Sequence, residues 1–117
     1  MNEISFHAAA NLTAEPELRY TPSARPVAQL RLAINSRRRT AEGEWVDAPT
    51  TFLDATVWGE QGERAASRLS KGDRVVVTGT LLTRTWTGQD GTERRKLEVA
   101  VEELSASLLF RDLKIER

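Results

Sequence analysis

Cysteine is absent from this chain of 117 residues, and histidine occurs once, at position 7. The first absence excludes disulfides, thiolate metal sites and a cysteine nucleophile. A solitary His7 reads more readily as a structural residue than as a metal ligand, so neither a metal nor a cofactor is expected. No apolar run is long enough to span a bilayer. No basic segment followed by an apolar stretch opens the chain, so a secretory signal is not expected. Together these absences point to a cytoplasmic protein with no membrane partner. Net charge is missing too, because 17 basic residues balance 17 acidic ones. There is no glycine-rich phosphate loop and no H-E-x-x-H pattern. The adjacent carboxylates Glu102 and Glu103 are expected on opposite faces of a strand, where they cannot cooperate. The chain therefore reads as a binding protein and not an enzyme.

What is present is unevenly spread. Between positions 64 and 96 the basic residues Arg64, Arg68, Lys71, Arg74, Arg84, Arg94, Arg95 and Lys96 face only Asp73, Asp90 and Glu93. Arg37, Arg38 and Arg39 form a second basic cluster. Local charge decides where an anion docks, so zero net charge does not exclude nucleic acid.

The dominant hydrophobic period is two. Ile4, Phe6, Ala8, Ala10 and Leu12 alternate with Ser5, His7, Ala9 and Asn11, which predicts a strand with one apolar face. Pro16, Pro22 and Pro26 punctuate a short extended piece and a turn. In "VAQLRLAINSR", Ala28, Leu30, Leu32 and Ile34 face one way, opposite Gln29, Arg31, Ala33, Asn35 and Arg37. "RRTAEGEWVDAP" reads as a polar loop, and "TTFLDATVW" as a third strand. "EQGERAASRLSKGD" is the only helical stretch, with Ala65, Ala66 and Leu69 on its apolar side and Gly72 as its stop signal. "RVVVTGTLLTRTW" and "RRKLEVAVEEL" are long strands flanking a turn that contains Asp90-Gly91. Five strands with one short helix between the third and fourth is the pattern of an all-β OB-fold, a Greek-key barrel whose closure removes exposed edges. Positions 1–110 are expected to form that single domain, and 111–117 a short extension.

Parity separates the faces of these strands. Thr51, Leu53, Ala55 and Val57 share the core face, which puts Phe52, Asp54, Thr56 and Trp58 on the wet one. Val75, Val77, Gly79 and Leu81 face the core, which puts Arg84 and Trp86 outside. Leu97, Val99 and Val101 are in phase, with Arg94, Lys96 and Glu98 opposite. A lone outward tryptophan marks an interface of unspecified kind. Three in-phase aromatics beside cations make a platform on which bases stack while arginines and lysines meet the phosphates. The candidate electrostatic contacts are Arg31, Arg37, Arg38, Arg39, Lys71, Arg84, Arg94 and Lys96. Read blandly, the arginine triplet is a solvated hairpin tip. Trp45 is as readily a clip holding its loop down as a base contact.

These stretches also carry a resemblance. "NLTAEPELRYTPS", "VAQLRLAINSR", "FLDATVWGEQGERAASRLSKGDRVVVTGTL" and "TRTW", in that order and over positions 4–110, resemble the bacterial single-stranded DNA-binding proteins. The resemblance implies a homotetramer, a dimer of dimers, that coats single strands without sequence preference in DNA replication, recombination or repair, associated with the nucleoid. It places the stacking aromatics on Phe52, Trp58 and Trp86, and matches Lys71 and Arg84 to commonly basic positions. Two departures stand out. Arg38 lies where such proteins often carry an aromatic, and Asp54 where they often carry a base, which should weaken the local electrostatics. The chain also ends at "DLKIER" without the acidic tip that recruits replication and repair partners, so a tail-less paralogue or a truncated form is expected. The competing reading is an OB-fold protein-interaction module of the primosomal replication type, which would bind single strands weakly.

Overall fold

The computed structural model describes residues 2–117. The chain forms β1 (Ile4–Leu12), β2 (Glu17–Tyr20), β3 (Pro26–Ile34), β4 (Arg37–Arg39), β5 (Trp45–Asp47), β6 (Thr51–Trp58), α1 (Gly59–Arg68), β7 (Arg74–Thr87) and β8 (Glu93–Ala106). Five of these strands, in the order β1-β7-β8-β6-β3, close into a ring when β3 returns to β1. All ring pairings are antiparallel except β6 with β8. This is the expected barrel, with α1 between its third and fourth ring strands.

The alternation read from the sequence fills the barrel. Leu12, Leu30, Leu32, Val57, Val75, Val77 and Val99 are fully buried, and the small residues Ala10, Ala28 and Ala55 complete the same cluster. Burying each Val or Leu stabilises the fold by about 1.5–3 kcal/mol relative to exposure. Helix α1 closes one end. Gly62 on its inner side admits no side chain, since a Cβ there would lie 2.2 Å from the Val57 carbonyl oxygen. Gln61 ties the helix to the sheet. Its amide donates to the Glu102 carbonyl (3.1 Å) and accepts from the Leu104 amide (2.6 Å).

Those two backbone groups are free for Gln61 because β8 bulges there. Thr78 pairs with Glu103 and Gly79 with Val101, leaving Glu102 unopposed. The bulge shifts the phase of β8 by one residue, so Val101 and Leu104 both pack on the core. Glu102 and Glu103 are consequently both exposed instead of being split between core and solvent.

Two other expectations are corrected. The loop after the second ring strand is a two-stranded ribbon, β4 with β5, pairing Arg37 with Asp47 and Arg39 with Trp45. The helix ends at Leu69, whose extended backbone (φ −99°, ψ 152°) stops it, and Gly72 serves the next turn by donating to the Leu12 carbonyl. The ring closes through a short contact. Strand β1 meets β3 only at Asn11 and Leu12, so residues 4–10 pair with β7 on one side and have no strand on the other among the described residues. After β8 the chain turns back along the barrel end, where Arg111 pairs with Asp73 at 3.3 Å and Arg68 with Glu116 at 3.2 Å. No helix among the described residues is long and apolar enough to cross a membrane.

Candidate nucleic-acid interface

The register of the ring assembles the outward side chains into rows. Across β3, β6, β8 and β7, one row reads Arg31, Asp54, Glu98 and Leu82. The next, toward α1, reads Gln29, Thr56, Ala100 and Thr80. One step further, Trp58 lies beside Val27. In the opposite direction Phe52 pairs with Ala33, Arg84 with Lys96, and then Trp86 with Arg94. Phe52, Trp58 and Trp86 therefore share one continuous outer face, as parity requires. Phe52 is 70% exposed, and Trp58 and Trp86 are each 40% exposed. Large apolar side chains left this open on a surface mark a place where something docks.

The cations are arranged around acidic partners. At the centre Lys96 Nζ lies 2.5 Å from Asp54 Oδ2, which also accepts from Gln29 at 3.4 Å. Arg84 Nε lies 3.6 Å from Glu98 Oε2 while its guanidinium sits 5.7 Å from the Trp86 ring centroid. Glu98 is only 5% exposed, and its Oε1 has no hydrogen-bond partner. Its outward parity thus does not make it wet, and Arg84 lies against it. Arg94 pairs with Asp90 at 3.4 Å and Arg37 with Asp47 at 3.8 Å. Arg31, Arg38, Arg39 and Lys71 have no carboxylate within 4.0 Å among the described residues.

Most of the sequence-derived candidates fall on this face or its rim. Arg37, Arg38 and Arg39 project from the β4–β5 ribbon, with Arg38 on the opposite side of the ribbon from the other two. Lys71 is not brought alongside. It sits in the turn after α1, where its backbone amide donates to Glu15 Oε1, at the end of β7 away from Trp86. From Arg74 to Trp86 that strand spans about 40 Å. Trp45 does not clip its loop to the barrel. It is 57% exposed, beside Arg39 on the ribbon, with the guanidinium 6.0 Å from its ring. The turn joining β7 to β8 is fixed by Asp90, whose carboxyl is held below its ordinary value, first by the Thr92 hydroxyl donating at 2.6 Å and then by the Thr92 amide. That turn carries Trp86 and Arg94 outward. Among the described residues no group of three His, Cys, Asp or Glu side chains is placed to hold a metal.

One residue that bears on this face, Arg25, escaped the sequence reading, as did Tyr20 beside the helix. Arg25 stacks on Trp58, its guanidinium carbon 4.5 Å from the ring centroid. Tyr20, in register with Pro26 and so on the other parity from Trp58, is 58% exposed and donates from its hydroxyl to Glu63 of α1 at 3.5 Å. Neither has a local signal, because both partners lie more than thirty residues away in sequence.

An exposed aromatic-and-cation face on a five-stranded closed barrel narrows the possibilities, and comparison with known proteins resolves them. The sequence model of the Single-strand binding protein family matches residues 1–107. The chain belongs to the single-strand binding protein family. Among curated relatives, a single-stranded DNA-binding protein of Paenarthrobacter aurescens is 39% identical over 116 residues, covering 98% of this chain and 68% of that protein. One from Mycolicibacterium smegmatis is 40% identical over 108 residues, covering 92% of this chain and 66% of its own length. The chain thus spans about two thirds of these relatives. Among solved structures, the crystal structure of a small single-stranded DNA-binding protein from Streptomyces coelicolor superposes with a TM-score of 0.74 at 29% identity. That match covers 92% of this chain and 97% of the other.

Proposed function

We propose that this single-strand binding protein family member binds single-stranded DNA without sequence preference. Bases stack on Phe52, Trp58 and Trp86, and Arg31, Arg37, Arg38, Arg39, Arg84, Arg94 and Lys96 meet the phosphates between them. Lys71 serves a strand that wraps beyond the aromatic face. The single observation that carries this reading is the common outer face of the three exposed rings, in register with Arg31, Arg84, Arg94 and Lys96. A π-face accepts any base, and each stack is worth roughly 1–3 kcal/mol. The unit that does this is positions 1–110, with 111–117 as a short extension. The protein coats and protects single strands during replication, recombination or repair in the cytoplasm, and acts by binding, not by catalysis.

The working form is a homo-oligomer, and a tetramer built as a dimer of dimers is the reading favoured here. The unpaired side of β1 over residues 4–10 supports it, since an open strand edge is a template for pairing with another chain. Ile4, 59% exposed at the head of that strand, adds apolar surface to the same edge. Titration of tryptophan fluorescence with dT oligonucleotides of increasing length tests the function. Quenching that saturates at a defined length is expected, and unchanged emission at micromolar protein with long poly-dT refutes it.

A further inference from the structure

The contact between Arg25 and Trp58 is the closest of the four cation–π contacts among the described residues. It is also built in an unusual way. Arg25 ends a tight turn in which the Thr21 amide donates to the Arg25 carbonyl (2.9 Å), the Ala24 amide to the Thr21 carbonyl (2.8 Å), and the Arg25 amide to Thr21 Oγ1 (3.1 Å). Ala24 in this turn has φ +64°, the only positive φ at a non-glycine position among the described residues. An alanine resists this left-handed conformation, so the turn is held by its surroundings and not by local preference. Immediately after it, Val27 pairs with Trp58 across β3 and β6. The turn therefore delivers Arg25 to the ring from the neighbouring strand. The guanidinium has no carboxylate within 4.0 Å among the described residues. Its charge is answered by the indole alone.

We propose that Arg25 is a lid on the base-stacking face of Trp58, displaced by an incoming base onto the adjacent phosphate. This deepens the reading of Trp58 as a stacking residue and rests on it. A ring rooted on the outside of a sheet turns one face toward its own strand neighbours and one toward solvent. A guanidinium stacked at 4.5 Å occupies the volume a base would take on the face it covers. Opening the lid forfeits a cation–π contact, which costs about two- to fivefold in affinity. The freed guanidinium then neutralises one phosphate, and that contact releases counterions. The two effects depend differently on salt. At low salt the phosphate contact prevails. At high salt it fades while the cost of opening remains, because a stacked cation on a ring is screened less than an exposed ion pair. A bare Trp58 has neither the cost nor the contact.

The test compares Arg25→Ala, Arg25→Lys and Trp58→Ala for dT oligonucleotide affinity over a salt series. A parallel set with Trp45→Phe and Trp86→Phe leaves Trp58 as the sole tryptophan for acrylamide quenching of the free protein. Arg25→Ala is expected to raise the quenching constant. It should also lower the magnitude of the slope of log K against log salt by about 0.7. Its affinity curve should cross the wild type, weaker at low salt and up to about fivefold tighter at high salt. Arg25→Lys keeps the charge without the planar stack, so the wild-type slope with intermediate quenching is expected. Unchanged quenching in Arg25→Ala, or an unchanged slope without a crossing, overturns the lid. If Trp58→Ala itself binds like wild type, the stacking role of Trp58 falls and the lid falls with it. If Trp58→Ala binds weakly but Arg25→Ala keeps the wild-type slope, only the lid falls.

Discussion

Asp54 is the acidic residue at the centre of the aromatic outer face, the proposed binding face, and replacing it with asparagine isolates what it does. Its carboxylate holds Lys96 at 2.5 Å and accepts from Gln29 at 3.4 Å. The Asp54 side chain is 17% exposed and that of Lys96 50%. Asparagine keeps an oxygen for Gln29 and nearly the same volume, so only the charge is removed. The lost pair is half-exposed and costs at most about 1 kcal/mol of stability. For binding, two effects act in the same direction. Lys96 no longer divides its charge between Asp54 and a phosphate, and a negative charge beneath the strand disappears. A charge about 8 Å away in a largely aqueous environment contributes about 0.5 kcal/mol of repulsion. Releasing Lys96 adds a similar amount, giving about 1 kcal/mol, or roughly fivefold tighter binding at low salt. Full engagement of Lys96 with its phosphate should steepen the slope of log K against log salt by up to about 0.7. Fluorescence titration with a dT oligonucleotide from low to high salt measures both quantities. If Asp54→Asn binds more weakly with an unchanged slope, Asp54 positions Lys96 instead of withholding it, and the electrostatic argument is wrong.

Gln61→Ala leaves the Glu102 carbonyl and the Leu104 amide at the β8 bulge without their partner, so a loss of about 1–3 kcal/mol and a clearly lower Tm are expected, with DNA affinity intact once folded. An unchanged Tm would mean that water satisfies the bulge. Asp90, its carboxyl depressed chiefly by the Thr92 hydroxyl, stabilises the β7–β8 turn at pH values above its unfolded pKa, about 3.9, and that stability is lost as pH falls through the lower folded value. Asp90→Asn should remove this acid-side loosening, which NMR of the Thr92 amide would follow. Arg38 offers charge where stacking is the alternative, so Arg38→Ala should flatten the salt slope by about 0.7, and Arg38→Trp should flatten it without weakening binding at high salt. An Arg38→Ala protein with wild-type slope and affinity would leave this arginine merely solvated.

The alternation of Val75, Val77, Gly79 and Leu81, and of Leu53, Ala55 and Val57, made the barrel and its wet face legible, because each strand carries its own two-residue period. Trp58 and Trp86 followed from that parity alone. The β4–β5 ribbon was not legible, since Arg37, Arg38 and Arg39 have no apolar face to betray a strand. Nor was the bulge at Glu102, which depends on how β7 and β8 fit and on Gln61 of the helix. Glu98 looked like a wet position, and its burial beside Arg84, fourteen residues away, is encoded by no local pattern. The ion pair of Lys96 with Asp54 joins residues 42 positions apart. Long-range partners of this kind set how much of the basic charge is free, and residue counts cannot supply them.

The central claim is that the outer-face rings stack bases and do not hold the fold. Phe52→Ala, Trp58→Ala and Trp86→Ala, each measured for poly-dT affinity and for thermal unfolding, test it most directly. Each should weaken binding by about 1–3 kcal/mol, roughly five- to 150-fold, with Tm close to wild type. Wild-type affinity in all three variants, with Tm clearly lowered, would make these rings packing or subunit-contact residues and contradict the account.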